Sequence, residues 1–299
     1  MSVVISENSA APTPVRSGAR LRHILLMATV AALPLAGCSS LEGFNPFGGE
    51  KYKTEILPDI PAEKLYNQGL AKSNAGSYKD ASKKFMEIEK QYPFSVWAQK
   101  GLLMSTFANY RDGNFDDAIS QGKRYVATYP TSPDAAYALY LVGESQYEQI
   151  SDISRDQDTT EKALQSFQEL ITKYPNSEYV ADSKFKIQVA HDQLAGKEMS
   201  IGRFYLTRKN YVAAINRFRV VLAQYQTTRH TEEALERLVE AYMGLGIVNE
   251  AQTAAAILGH NYPDSQWYKD AYALLQSGGV EPREDKGSWI SKIFSTVGL

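Results

Sequence analysis

The sequence predicts an all-α solenoid of five helical hairpins, and three observations carry that prediction. An alanine recurs at Ala81, Ala118, Ala163, Ala214 and Ala251. Eleven residues after each stands a tyrosine (Tyr92, Tyr129, Tyr174, Tyr225, Tyr262), followed by proline in every copy but the fourth, which has Gln226. Three residues after each tyrosine comes a hydroxyl side chain: Ser95, Ser132, Ser177, Thr228 and Ser265. Self-similarity at this period marks an array of supersecondary units that stack to bury a continuous core.

Each recurring residue has a physical task. Gly76, Gly113 and Gly246 stand five residues before their alanines, where a chain leaving one helix for the next takes a positive φ. The alanine is small where two antiparallel helices must approach closely. Phe85, Phe167 and Phe218, four residues later on the same face, fill the next layer. Proline after tyrosine stops the second helix, and Ser or Thr is placed to cap the next one by accepting from its free amides. Helix, turn, helix, stop and cap make one tetratricopeptide-type unit.

The N-terminus reads as an export signal, residues 1–37. Arg16, Arg20 and Arg22 precede an apolar run from Ile24 to Gly37, too short to span a bilayer comfortably. It ends in Leu35-Ala36-Gly37-Cys38, which resembles a bacterial lipobox. Cys38 is the single cysteine of the chain, so an intramolecular disulfide and a cysteine metal cluster are both excluded. The expected modification is a diacylglycerol on its sulfur and an acyl chain on the new amino terminus, with no other cofactor. Without residues 1–37 the chain has 29 Lys+Arg against 33 Asp+Glu, a balance that argues against a nucleic-acid protein.

Residues 38–57 are punctuated by Gly and Pro and read as a tether. The repeat domain is expected over 58–277, opening with Pro61 in a first helical turn. Its alanines are spaced by 37, 45, 51 and 37 residues. The excess in the second interval falls in the polar stretch 151–160, a loop. The excess in the third shows no break, so one helix is expected from Glu178 to about Lys209, about 45 Å long, joining repeats 1–3 to repeats 4–5. Gly196 and Gly202 should weaken or bend it. Gln266 to Gln276 suits a capping helix.

Residues 278–299 form a linker and a short amphipathic tail with Trp289, Ile290, Ile293, Phe294 and Val297 on one helical face. That face has three possible covers, a partner being favoured over the last hairpin or a membrane surface.

No catalytic constellation is present. His191, His230 and His260 are 39 and 30 residues apart, without the short spacings that set two ligands on one helical turn. Gly244-Leu-Gly246 belongs to the fifth hairpin's turn, and no serine stands in a nucleophile-elbow context. The chain is therefore expected to be neither an enzyme nor a metalloprotein.

Taken together, the lipobox, the five hairpins, the insertion carrying Asp152, Arg155 and Asp156 and the long helix resemble the BamD (ComL) family of outer-membrane assembly lipoproteins. The phrases Asn67-Gln68-Gly69, Gly76-Ser77-Tyr78, Tyr92-Pro93-Phe94 and Phe204-Tyr205-Leu206-Thr207-Arg208 with Tyr211 carry the likeness, over about residues 35–277. The resemblance implies a non-catalytic scaffold of the β-barrel assembly machinery. It would be anchored in the inner leaflet of the outer membrane, facing the periplasm; Ser39 after the cysteine, rather than Asp, agrees with outer-membrane sorting in enterobacteria. Its partners would be BamA, other lipoproteins of the machinery, and unfolded outer-membrane barrel proteins held by the N-terminal half. Arg208 aligns with an arginine in the turn that engages the membrane-proximal POTRA domain of BamA, with Arg229 expected nearby. Alignment on the alanines places Tyr66, Phe107, Tyr110, Arg111, Tyr140 and Tyr147 on first helices, which line the concave side of such repeats. Aromatic rings with a cation suit an extended peptide ending in an aromatic residue and a carboxylate; the bland alternative is that the rings pack between hairpins. A pilotin-like lipoprotein escorting a secretin or pilus component is the competing class.

Overall fold

Helix follows helix throughout the computed structural model, which describes residues 60–297 (for Val297, the backbone only). The signal segment, Cys38 and the tether lie outside the described residues. Among the described residues there are twelve helices and no strand: α1 (Ala62–Asn74), α2 (Tyr78–Gln91), α3 (Val96–Asp112), α4 (Phe115–Thr128), α5 (Ala135–Tyr147), α6 (Asp158–Lys173), α7 (Val180–Thr207), α8 (Tyr211–Gln224), α9 (Thr231–Leu245), α10 (Val248–Asn261), α11 (Gln266–Ser277) and α12 (Trp289–Val297). The first ten form five hairpins. Each helix from α1 to α10 packs on the next in sequence, and the first helices also touch one another in the pairs α1–α3, α3–α5 and α7–α9. None of the described helices is long and apolar enough to cross a membrane.

The repeated residues do what their chemistry requires. All five origin alanines are fully buried. Gly76, Gly113 and Gly246 take φ of 75°, 76° and 76°, and in the fourth copy Lys209 occupies that register at φ 58°. The phenylalanines meet glycines: a Cβ added to Gly69, Gly143 or Gly202 would lie 2.5, 2.5 or 2.3 Å from the ring of Phe85, Phe167 or Phe218. The second copy inverts the pair, with Gly122 at the phenylalanine's register facing Thr106. Large-against-small layering thus recurs with its polarity reversed, as close packing permits when total volume is kept.

The capping expectation holds at two of five hydroxyls. Ser95 accepts from Ala98 N at 3.1 Å and Ser265 from Trp267 N at 3.2 Å. Ser132 and Ser177 instead accept from Asp134 N and Tyr179 N, both at 3.3 Å, in a tight turn before α5 and α7 begin. Thr228 turns its hydroxyl back to the carbonyl of Tyr225 at 2.8 Å. The reason is geometric: in these copies the helix starts a few residues farther on, so the hydroxyl falls outside it.

The long helix α7 has 28 residues, about 42 Å. Gly196 and Gly202 are close-approach positions on it: Gly196 lies under His230, as Gly202 does under Phe218. Its middle holds the insertion, Gln193 donating to Ser151 O at 3.0 Å and Lys197 to Ser154 O and Arg155 O at 3.0 and 3.2 Å. Its later part (Ala195, Met199, Leu206) shares one apolar core with repeats 4–5, while repeats 1–3 hold two smaller cores.

The tail corrects the favoured expectation of a partner-bound helix. Helix α12 folds back on α8 and α10. Ile290 is 0% and Phe294 2% exposed, within the same core as repeats 4–5. Trp289 Nε1 donates to Tyr242 Oη at 3.0 Å, and the Arg219 guanidinium lies 4.7 Å over the Trp289 ring. The preceding strap is tied to α10 through Gln252 Nε2 to Glu281 O at 2.7 Å and Ser288 Oγ to Glu250 at 2.7 Å. An isolated apolar face of nine residues cannot hold a helix in water, and the last hairpin supplies the cover.

Candidate peptide groove and partner interface

On α3, α5 and the start of α7 the first-helix face is a cluster of rings around charge. Phe107 meets Tyr78 edge-on at 6.4 Å, and Arg111 stacks over both rings, 5.1 Å from Tyr78 and 5.8 Å from Phe107. Arg111 is exposed and enters no ion pair among the described residues. Tyr110 directly precedes it in α3, its hydroxyl 3.5 Å from Glu144 of α5. Tyr140 stacks on Tyr179 at 4.8 Å and donates to Asp182 at 2.7 Å. Burial first, then that bond and the neighbouring carboxylates, raises the Tyr140 phenol well above its ordinary value. Tyr137, also against Tyr179, is pushed up to about 12, chiefly by burial.

At the centre Lys186 of α7 pairs with Glu144 at 2.5 Å and with Asp182 at 3.6 Å, its ammonium 4.9 Å over Tyr147 and 5.9 Å over Tyr140. Burial raises the Glu144 carboxyl while Lys186 opposes it; burial works against the Lys186 charge, and the Glu144 and Asp182 carboxylates outweigh it. The pair ties α5 to α7 and compensates its own charge, leaving Arg111 as the uncompensated cation of the cluster.

The structure thus brings together Phe107, Tyr110, Arg111, Tyr140 and Tyr147. Tyr66 is placed differently, packed into the first hairpin against Phe85 at 5.5 Å and Trp97 at 5.1 Å. Sequence reasoning missed Glu144, Tyr137, Tyr179, Asp182 and Lys186. Glu144 was within reach, because with the eight-residue insertion removed it shares the register of Phe107. Lys186 was not: it precedes Ala214 by 28 residues, farther than α3 begins before Ala118, so alignment on the following alanine has no column for it.

Toward the C-terminus the same face is clamped by charge rather than by rings. Arg203 of α7 makes two bonds to Glu233 of α9, at 3.0 and 2.9 Å, and Arg237 lies 5.4 Å over Trp267 of α11. Glu236, buried beside Arg237, has its carboxyl pushed up to about 7 by burial.

At the α7–α8 turn the Arg208 guanidinium sits 3.6 Å over the ring of Phe204, itself 52% exposed, with Val212, the second residue of α8, at 60%. Lys209 in the left-handed region and Asn210, which accepts from Ala213 N at 3.4 Å, fix the turn that presents them. Arg208 makes no ion pair among the described residues. Arg229 is not its neighbour, a correction to the sequence expectation. It precedes α9, at the opposite end of the hairpin, and pairs with Asp192 of α7 at 3.0 Å. Asp192 and Arg208 are sixteen residues apart on one rod, about 24 Å. An antiparallel hairpin puts its entrance and its turn at opposite ends, which reading by sequence separation overlooks.

No described group of His, Cys, Asp or Glu could hold a metal ion. A repeat array with an aromatic and cationic face and an exposed Phe–Arg turn is a binding scaffold. The chain matches the model of the YfiO family, described as outer membrane lipoprotein, over residues 58–258. A Caulobacter vibrioides protein named outer membrane protein assembly factor BamD is 41% identical over 259 residues, 87% of this chain and 82% of its own length. A Rickettsia prowazekii protein of the same name is 40% identical over 86% of this chain and 98% of its own, and a Neisseria meningitidis one 31% identical over 84% and 96%. The chain belongs to the BamD family of outer membrane protein assembly factors. It is accordingly a non-catalytic protein of outer-membrane assembly, associated with that membrane, and the pilotin-like reading gives way.

Proposed function

We propose that this chain holds the C-terminal end of an unfolded outer-membrane barrel protein on the α3–α5–α7 face and docks BamA through the α7–α8 turn. Lipid on Cys38 keeps it at the inner leaflet, facing the periplasm beside the machinery's other lipoproteins. The observation that supports the reading most is Arg111, an exposed guanidinium without a carboxylate partner among the described residues, held over the rings of Tyr78 and Phe107. A planar fork beside aromatic faces fits a peptide ending in an aromatic residue and a free carboxylate. Arg208, unpaired over Phe204, offers the same fork to an acidic group on the membrane-proximal POTRA domain.

The two sites separate under charge reversal. Arg111→Glu lowers affinity for a barrel C-terminal peptide about tenfold or more and leaves BamA co-purification unchanged; Arg208→Glu does the reverse, several-fold or more. Both residues are exposed, so stability changes by no more than about 0.5 kcal/mol in either variant. Fluorescence anisotropy of the peptide and co-purification at physiological ionic strength measure the two. Wild-type peptide affinity in Arg111→Glu removes the groove, and wild-type BamA recovery in Arg208→Glu removes the docking turn.

A further inference from the structure

The turn between α2 and α3 departs from the four turns that repeat it. Its tip residue is Phe94, where the later copies carry Thr131, Asn176, Thr227 and Asp264. Two residues on, Val96 stands in the register of Pro133, Glu178, Arg229 and Gln266. Neither side chain is tucked away: Phe94 is 101% exposed and Val96 71%. The turn itself folds equally well in the other copies, which carry neither an aromatic nor an aliphatic β-branched side chain at these positions, so the pair answers to something outside the domain.

The charges around the tip are as particular to this copy. Lys90 in the last turn of α2 and Lys100 near the start of α3 are exposed and form no ion pair among the described residues. Lys100 leans over Trp97, 5.0 Å from the ring centre. In the register of Lys100 the later copies carry Tyr137, Asp182, Glu233 and Asp270; in that of Lys90 they carry Ala127, Thr172, Ala223 and His260. The acids of α2 that could offset the two lysines are engaged, Glu87 by Lys84 at 2.7 Å and Glu89 by Arg124 at 2.6 Å. Glu63, exposed in the first turn of α1, and Asp134, exposed just before α5, are the acids of this end that enter no ion pair among the described residues.

The chain also enters the repeat domain here. The Tyr92 hydroxyl, two residues before Phe94, donates to the carbonyl of Ile60 at 3.0 Å, and Ile60 follows Cys38 by 22 residues. This apolar and basic tip is also the tip at which the lipid-bearing segment joins the array.

We propose that the α2–α3 tip is a membrane-contact surface. Phe94 and Val96 enter the boundary between headgroups and acyl chains, and Lys90 and Lys100 meet the phosphodiesters of an anionic phospholipid leaflet. Aromatic side chains favour that boundary, and basic residues within a Debye length of an anionic surface are drawn to it. This surface rests on the reading of Cys38 as the lipid site, and it adds an orientation: the lipid sets the distance from the membrane, and the tip sets which end of the solenoid faces it.

Lipidation consumes the chain's one thiol, so Val96→Cys or Asn74→Cys creates a unique site for an environment-sensitive dye, Asn74 lying at the opposite end of the first hairpin. The lipidated protein is reconstituted into vesicles of phosphatidylethanolamine and phosphatidylglycerol with brominated acyl chains. Dye at 96 is quenched and dye at 74 is not, and adding Phe94→Ser relieves the quenching. Equal quenching at the two positions overturns the proposal, including the case in which the label at 96 stays dark to lipid and instead crosslinks to a protein in native membranes. The unlipidated Cys38→Ser chain tests the surface alone. Its partition into the same vesicles falls about fivefold for each of Lys90→Gln and Lys100→Gln and about tenfold or more for Phe94→Ser. Unchanged partition in all three overturns the proposal. Failure of the lipid reading is recognised separately, by uptake of thiol label in the wild-type chain and equal flotation of wild type and Cys38→Ser.

Discussion

Phe218→Ala lowers the stability of the repeat domain by about 3–5 kcal/mol, and Gly202→Ala, which adds a single carbon, lowers it by about 1–3 kcal/mol. The second result runs against helix propensity, which favours alanine over glycine by about 0.8–1 kcal/mol in a helix interior. Packing decides the sign. Phe218 is fully buried, and a Cβ on Gly202 would fall 2.3 Å from its ring, a separation that real Cβ atoms do not reach. Either α7 and α8 move apart or the ring leaves its rotamer. Because the two residues share one contact, their effects do not add: Phe218→Leu placed on Gly202→Ala recovers part of the loss. Urea denaturation of the two single variants and the pair measures this. A Gly202→Ala variant more stable than wild type would show that the approach of α7 to α8 is not set by this layer.

Deleting residues 287–299 lowers the melting temperature by about 4–8 °C. Helix α12 is part of the fold, with Ile290 and Phe294 closed into the core of repeats 4–5 and Trp289 bonded to Tyr242. A net loss of about 2 kcal/mol, comparable to one large buried side chain, gives a shift of that size in a domain of this length. The truncation also uncovers the apolar groove between α8 and α10, so it binds a hydrophobic dye that the full chain does not. An unchanged melting temperature would mean that α12 is docked too weakly to matter and that its face is free for another partner.

Most of the repeat architecture was legible because the repeats state it several times over. Five alanines in one register cannot all be accidents of composition, and each proved to be a fully buried contact. Much of what was not legible had no repetition to expose it. The glycines of α7 read as weak points in a helix, although Gly202 shares with Gly69, and with Gly143 once the insertion is removed, the position twelve residues before the alanine, where the ring of the phenylalanine packs. The tail read as an apolar stripe whose cover could be any of three surfaces, and the choice is made by Tyr242, Glu250 and Arg219, far away in sequence. Of the groove, the aromatic positions and Arg111 came from register alone, while Lys186 sits on the part of α7 that repeat alignment leaves unmatched. Arg229 was misplaced because two turns close in sequence lie at opposite ends of a hairpin.

The central claim is that the first-helix face of repeats 2 and 3 holds the unfolded barrel chain. Photocrosslinking amino acids at positions 110 and 147, in cells synthesising an outer-membrane barrel, test it most directly, with positions 120 and 168 on the second helices α4 and α6 as comparison. The account predicts that 110 and 147 capture the barrel protein through its C-terminal segment and that 120 and 168 do not. Capture from 120 and 168 with none from 110 and 147 would contradict it and move substrate binding to the other face of the array.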